Sequence, residues 1–121
     1  MVEMSLKSRK LGNLGEKQAQ KTLQNKGFTL VGRNLKLFCG EIDLLMEDKK
    51  DLVIVEVKTK ADESFGKAKE MITLKKRKKL LQLAAALSQK IPNRTIRIDV
   101  VAIDMQDESY EHLVSAVENN I

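Results

Sequence analysis

The chain has no tryptophan, one cysteine and one proline, and only 3% of its 121 residues are aromatic. Cys39 has no second thiol for an internal disulfide, and with His112 as the lone histidine there are too few ligands for a Cys/His zinc cluster. A disulfide-stapled scaffold and structural zinc are therefore excluded, and a single thiol fits a reducing, cytoplasmic compartment. Nothing in the sequence places a histidine base beside Cys39, so the thiol reads as inert, and His112 reads as a packing or surface residue. Phe28, Phe38, Phe65 and Tyr110 are too few for the stacking platforms that grip unpaired bases. The longest apolar runs, 52–55 and 83–87, fall far short of the roughly 20 residues that span a bilayer. No apolar stretch follows the basic N-terminus, so neither a membrane partner nor an export signal is expected. Gly12, Gly15 and Gly66 lack the spacing and the Lys-Ser/Thr ending of a phosphate-binding P-loop.

What the sequence has is charge and an ordinary core fraction. Of its residues 42% are hydrophobic and 32% charged, which at this length predicts one globular domain over 1–121, with a core of about 8–104. Lysine and arginine number 22 against 17 aspartates and glutamates, a net charge of +5. The segment 107–121 holds Asp107, Glu108, Glu111 and Glu118 and no base, so the first 106 residues carry +9. A body this basic favours a polyanionic partner, and with so few aromatics it should hold nucleic acid by backbone and shape.

Hydrophobic periodicity orders the elements. Leu11, Leu14, Ala19 and Leu23 recur at helical spacing, predicting a helix over 8–26 with Ser8 as N-cap and Gly27 as stop. Residues 28–38 read as a strand interrupted at Gly32, Arg33 and Asn34, and Cys39-Gly40 turns the chain. Strands over 41–47 and 52–59 flank the polar link 48–51, which makes them a hairpin. A loop over 61–66 and a short helix over 67–72 lead to Thr73, the cap of a longer helix reaching about Gln89. Its stripe is Ile72, Leu80, Leu83, Ala84 and Leu87. Pro92-Asn93 then breaks the chain before a strand over 95–104, while 110–118 fits either a short strand or a helix. Helix, three strands, helix and strand predict an α/β fold: a mixed central sheet with an antiparallel hairpin, flanked by helices.

The hairpin carries the most chemistry. A four-residue loop at 48–51 pairs Glu47 with Leu52, sets Asp43 opposite Glu56 and Glu41 opposite Lys58, and puts all four charges on one face. Leu45, Leu52 and Ile54 share that face, so the acids stand at the edge of something buried. Opposed carboxylates repel unless a proton or cation intervenes, and two of them with backbone carbonyl and water suit Mg²⁺ or Mn²⁺ better than zinc.

Gly40-Glu41-Ile42-Asp43-Leu44 followed by Val55-Glu56-Val57-Lys58 resembles the core of the PD-(D/E)XK, or restriction-endonuclease-like, superfamily. The likeness extends to Gly12-Asn13-Leu14-Gly15-Glu16 with Ala19, Arg33-Asn34, Phe65-Gly66-Lys67-Ala68 and Arg97-Ile98-Asp99-Val100-Val101-Ala102. Together these resemble the small uncharacterised bacterial YraN-like family, which is similar to archaeal Holliday junction resolvases. The resemblance covers roughly residues 10–104, and the combination is more specific than any one piece. It implies a metal-dependent nuclease core in which Asp43 and Glu56 are ligands, Lys58 is the catalytic lysine, and Glu16 is an additional acid from the first helix. Glu41 is a further ligand or arranges water and Lys58. Ile42 replaces the superfamily's proline and Ile98 a phenylalanine common in the small family; neither change removes a ligand.

The expected function is metal-dependent hydrolysis of DNA phosphodiester bonds, extending to branched or structured DNA. The alternative is a non-catalytic nucleic-acid-binding accessory module on the same fold. Lys58 would orient the attacking water or stabilise developing negative charge, since a role as base requires burial to lower its pKa. Lys75, Lys76, Arg77, Lys78 and Lys79 are the expected phosphate grip. Lys76 is set apart by falling in the apolar stripe, facing the sheet. Arg97 and Asp99, two apart on one strand face, read as a structural ion pair. Cutting two strands with so small a nuclease would call for a homodimer, although no interface is legible.

Overall fold

Gly15, Ala19 and Leu23 lie four residues apart and are the buried line of the first helix, α1 (Val2–Asn25), in the computed structural model, which describes residues 2–60 and 72–118 and side chains from residue 10. The helix begins well before Ser8, so Ser8 is not its cap, and Leu14 is exposed rather than part of the stripe. Small residues replace it in the contact. A Cβ on Gly15 would clash with Thr59 Oγ1, so only glycine lets α1 lie this close to the sheet. The helix ends as expected at Gly27, whose positive φ of 102° turns the chain so that the Phe28 amide returns to the Leu23 carbonyl.

Four strands follow the predicted order: β1 (Thr29–Leu37), β2 (Gly40–Asp48), β3 (Asp51–Lys60) and β4 (Thr95–Asp104). Helix α2 (Leu74–Lys90) crosses from β3 to β4 and makes that pair parallel, while β1, β2 and β3 run antiparallel in turn. Thr73 caps α2 as its sequence position predicts, its hydroxyl accepting from the Lys76 amide at 3.1 Å. The ambiguous tail resolves into β5 (Tyr110–Leu113), an edge strand antiparallel to β4. The sheet order is β1-β2-β3-β4-β5. The predicted loop over 61–66 and nearly all of the short helix over 67–72 lie outside the described residues.

Each face of the sheet has its own core, and strand alternation sorts residues between them. Ala19 and Leu23 of α1 pack on Leu44, Met46, Val53, Val55, Val101 and Ile103. Leu80, Leu83 and Leu87 of α2 pack on Leu45, Leu52, Ile54 and Ile98 from the opposite side. This α/β arrangement, a mixed five-stranded sheet with a helix against each face, is that of a restriction-endonuclease-like core. Among the described residues no helix is long and apolar enough to cross a membrane.

One strand departs from simple alternation. Ile42 packs with the α2 cluster, whereas Leu44, two residues on, packs with the α1 cluster. Strand β2 therefore turns over at Asp43. Its neighbour does the same: Arg33 pairs with Leu44 and Leu35 with Ile42, and between them Asn34 adopts a φ of 50°. Asparagine tolerates this left-handed conformation better than most residues. The polar interruption read in β1 is the mark of this kink.

The β2–β3 register is the predicted one, since Leu45 pairs with Ile54 and Glu47 with Leu52. Two details differ. The ladder continues to Asp48 and Asp51, so the turn is Lys49-Lys50 rather than four residues, with Lys49 at a φ of 58°. At the other end regular pairing stops at Leu44 and Val55, so neither Asp43 and Glu56 nor Glu41 and Lys58 face each other as ladder partners.

Candidate functional site

The kink and the end of the ladder create the site. Where the next ladder bond would form, the Asp43 carboxylate turns inward and its Oδ2 accepts the Val57 amide at 3.0 Å. Glu56 sits beside it on β3, only 5% exposed. Burial raises the Asp43 pKa, and the Val57 hydrogen bond and nearby lysines only partly oppose it. Burial and then the Asp43 charge push the Glu56 carboxyl up to about 7. The pair comes together as predicted, by a side chain wedged into the ladder rather than by direct opposition.

Two lysines converge on the same acid. Lys76 Nζ stands 3.3 Å from Glu56 Oε1 and Lys58 Nζ 3.8 Å from that same oxygen. Lys58 reaches it from two residues along β3. Lys76 reaches it from the first turn of α2, as its place in the apolar stripe predicts. Even with both lysines present, Glu56 holds its proton more tightly than a free glutamate.

Helix α1 brings a third acid. Glu16 follows the tightly packed Gly15, and its pKa is raised by burial and then by the Asp43 charge. With its amide nitrogen facing the acids, Asn34 donates to Glu16 Oε1 and to Glu41 Oε1, each at 3.2 Å. Asn34 thus ties α1 to the start of β2 at the point where both strands kink. Its role was not read from the sequence, although a polar residue in mid-strand was the available signal. Glu41 itself is exposed. Among the described residues no three carboxylate, imidazole or thiol groups converge into a metal cage.

Lys58 and Lys76, which stand on Glu56, line a basic cleft of about 470 Å³ together with Thr73, Lys75, Lys78, Lys79 and Gln82. Four members of the basic run therefore share one surface. Arg77 is exposed and does not line it. Lys79 also holds the β1–β2 turn, donating to the Cys39 carbonyl at 2.5 Å.

A second charged cluster lies on the α1 face. Arg97 donates twice to Asp99, through Nε and Nη2 at 2.9 Å each, so the expected ion pair is present as a fork. Asp99 is fully buried. It also accepts from the Ser115 amide at 3.0 Å and meets His112 Nε2 at 2.8 Å. Burial would raise the Asp99 pKa, but the His112 and Arg97 hydrogen bonds together hold it below the usual carboxylate range. Arg97 further bridges Asp48 and Asp51 at the β2–β3 turn and lies over the Phe28 ring. His112, edge-on to Phe28, completes a network that clamps β4, β5 and the end of α1. This cluster has a structural explanation, as the sequence suggested for both Arg97 and His112.

Comparison with known proteins matches residues 15–103 to the model of the Uncharacterised protein family UPF0102. That stretch holds every acid of the site, both lysines on Glu56 and the whole basic run. A UPF0102 protein of Herminiimonas arsenicoxydans is 39% identical over 90% of this chain and 87% of its own length. One of Roseiflexus castenholzii is 40% identical over 90% and 94%, and one of Clostridioides difficile 30% identical over 92% and 99%. The chain belongs to the UPF0102 family, the YraN family of bacterial proteins.

Proposed function

We propose that this protein is a metal-dependent endonuclease that hydrolyses DNA phosphodiester bonds, with Asp43 and Glu56 as the metal-holding pair. The observation that carries the reading is an acid pair whose burial its partners only partly offset. Two largely buried carboxylates keep raised pKa values although two lysines stand on one of them. A buried pair of this kind costs stability in the free protein, and such costs concentrate where chemistry needs them.

The donor set fits a hard divalent cation. Mg²⁺ keeps several waters and is bound through one or two carboxylates together with substrate phosphate, rather than in an all-protein cage. Asp43 uses Oδ2 on the Val57 amide, and Glu56 meets both lysines through Oε1. Mg²⁺ or Mn²⁺, when bound, would neutralise charge on the phosphoryl oxygens and lower the pKa of water.

The remaining work falls to the chain's own groups. Lys58 and Lys76 present ammonium groups where negative charge develops on the phosphoryl oxygens, and they orient the attacking water against Glu56. Glu16 and Glu41, joined through Asn34, fix the outer side of the site and hold water there. Lys75, Lys78 and Lys79 take neighbouring backbone phosphates along the cleft.

The test is cleavage of single-stranded, duplex, flap and four-way-junction DNA with Mg²⁺ or Mn²⁺, with Asp43→Ala and Lys58→Ala in parallel. Cutting by the parent that both variants lose supports the reading. A parent that binds these DNAs in a salt-sensitive way and cuts none of them is instead a binding module that retains the nuclease fold.

A further inference from the structure

The proposed nuclease leaves one feature without a task. Phe38 is 90% exposed at the tip of the two-residue turn between β1 and β2. Phe28, by contrast, is buried, and Tyr110 is half-exposed beside the Lys26 ammonium. A single exposed apolar side chain is ordinary on a protein surface. The position of this one is not, because a second cleft of about 330 Å³ opens behind it, lined by Phe38, Cys39, Gln82, Ala85, Ala86 and Gln89.

The two clefts are neighbours. Gln82 lines both the apolar cleft and the basic one that reaches Lys58 and Lys76. Lys79, which lines the basic cleft, is bonded to the Cys39 carbonyl, so the Phe38 turn is fastened to the basic wall of α2. A Cβ added at Gly40, whose φ is 154°, would meet the Lys79 stem and Leu83. A flat aromatic face and a small apolar cleft thus adjoin a row of cations that ends at the acid pair. An unpaired nucleotide has the complementary design: a flat apolar face on an anionic backbone.

Resting on the reading of this protein as a DNA-binding nuclease, we infer that Phe38 and the cleft behind it form a subsite for one unpaired nucleobase. The backbone phosphates of the same strand lie in the adjoining basic cleft. One aromatic is not a stacking platform for a long single strand, and it does not read sequence, because every base offers a π face. It engages a base already freed from its pair. The substrate class that follows is DNA with a locally unpaired base, at a branch, bulge or single-strand end, rather than uniform duplex.

The chain has no tryptophan, so Phe38→Trp places its one tryptophan at the subsite, excited selectively over Tyr110. The probes are labelled oligonucleotides without divalent cation: a matched duplex, the same duplex with a central bulge, and a single strand, with binding followed by anisotropy. At equal occupancy, the emission of the Phe38→Trp variant is quenched by bulged and single-stranded DNA and unchanged by matched duplex. Phe38→Ala weakens binding of the bulged DNA about ten-fold and leaves duplex affinity unaltered, as expected for one lost base–aromatic stack. Emission that stays constant on bound bulged DNA, or a Phe38→Ala variant that keeps the parent's preference, overturns the subsite and leaves the nuclease reading standing. Absence of any DNA binding at low salt overturns both. Sedimentation showing a dimer that Phe38→Ala dissociates assigns the turn to self-association and also overturns the subsite.

Discussion

The Asp43 carboxylate occupies the position of a missing β-ladder bond, its Oδ2 accepting the Val57 amide at 3.0 Å. The residue therefore has two separable functions, completing the sheet and carrying charge. Asp43→Asn keeps an acceptor for Val57 and removes the charge that raises the Glu56 pKa. The metal-free variant is expected to melt above the parent at pH 8 and to lose cleavage. Asp43→Ala strands the part-buried Val57 amide, a cost of about 1 kcal/mol that offsets the electrostatic gain. Thermal melts of the three proteins in chelator separate the two functions.

Stability should depend on pH through Glu56. Its folded pKa of about 7 lies above the ordinary value of 4.5, because burial and then the Asp43 charge disfavour ionisation. A raised carboxyl contributes fully below the unfolded value and loses that contribution as pH rises through the folded one. Between pH 4.5 and 7 the metal-free protein is expected to lose about 3 kcal/mol from this group. Urea unfolding at pH 5 and pH 8 measures the difference. Mn²⁺ should restore stability mainly at pH 8, and Glu56→Gln should flatten the pH profile.

The Arg97 cluster predicts the opposite slope. Asp99 has a folded pKa below its ordinary 3.8, since the His112 and Arg97 hydrogen bonds outweigh its burial. Its contribution is present above the unfolded value and is lost as pH falls through the folded one. Arg97→Ala leaves a buried carboxylate short of its main partner, at an expected cost of about 3 to 5 kcal/mol. It should also move acid unfolding to higher pH, read by circular dichroism during acid titration.

Close packing at Gly15 is equally testable. An added Cβ runs into Thr59 Oγ1, and the β-branched threonine has little freedom to yield. Gly15→Ala is expected to cost about 1 to 3 kcal/mol and to lift α1 from the sheet. Glu16, the next residue, moves with it. The expected outcome is a lower melting temperature together with slower cleavage, whereas the exposed Leu14→Ala should change neither.

Much of this was legible in the sequence because it follows from period and spacing. The β2–β3 register came from hairpin pairing, Thr73 from capping chemistry, and the approach of Lys76 to the site from its place in an apolar stripe. The kink at Asn34 and Asp43 was not legible, because strand periodicity assumes a strand that keeps its faces. Placing Asp43 opposite Glu56 therefore predicted a ladder pairing where the structure instead has the Val57 amide donating to the Asp43 carboxylate. Leu14 was misplaced because helical periodicity counts large apolar residues, and the close contact here belongs to a glycine. The joining of His112 to Asp99 depends on β5 pairing with β4, a contact no local pattern contains.

The most direct test is Mn²⁺ binding, followed by the electron paramagnetic resonance signal of free Mn²⁺ at pH 8 for the parent, Asp43→Asn and Glu56→Gln. Saturable binding by the parent, displaced by excess Mg²⁺ and lost in both variants, is the result this account predicts. Equal binding by all three proteins, or none by the parent with DNA present, would contradict it.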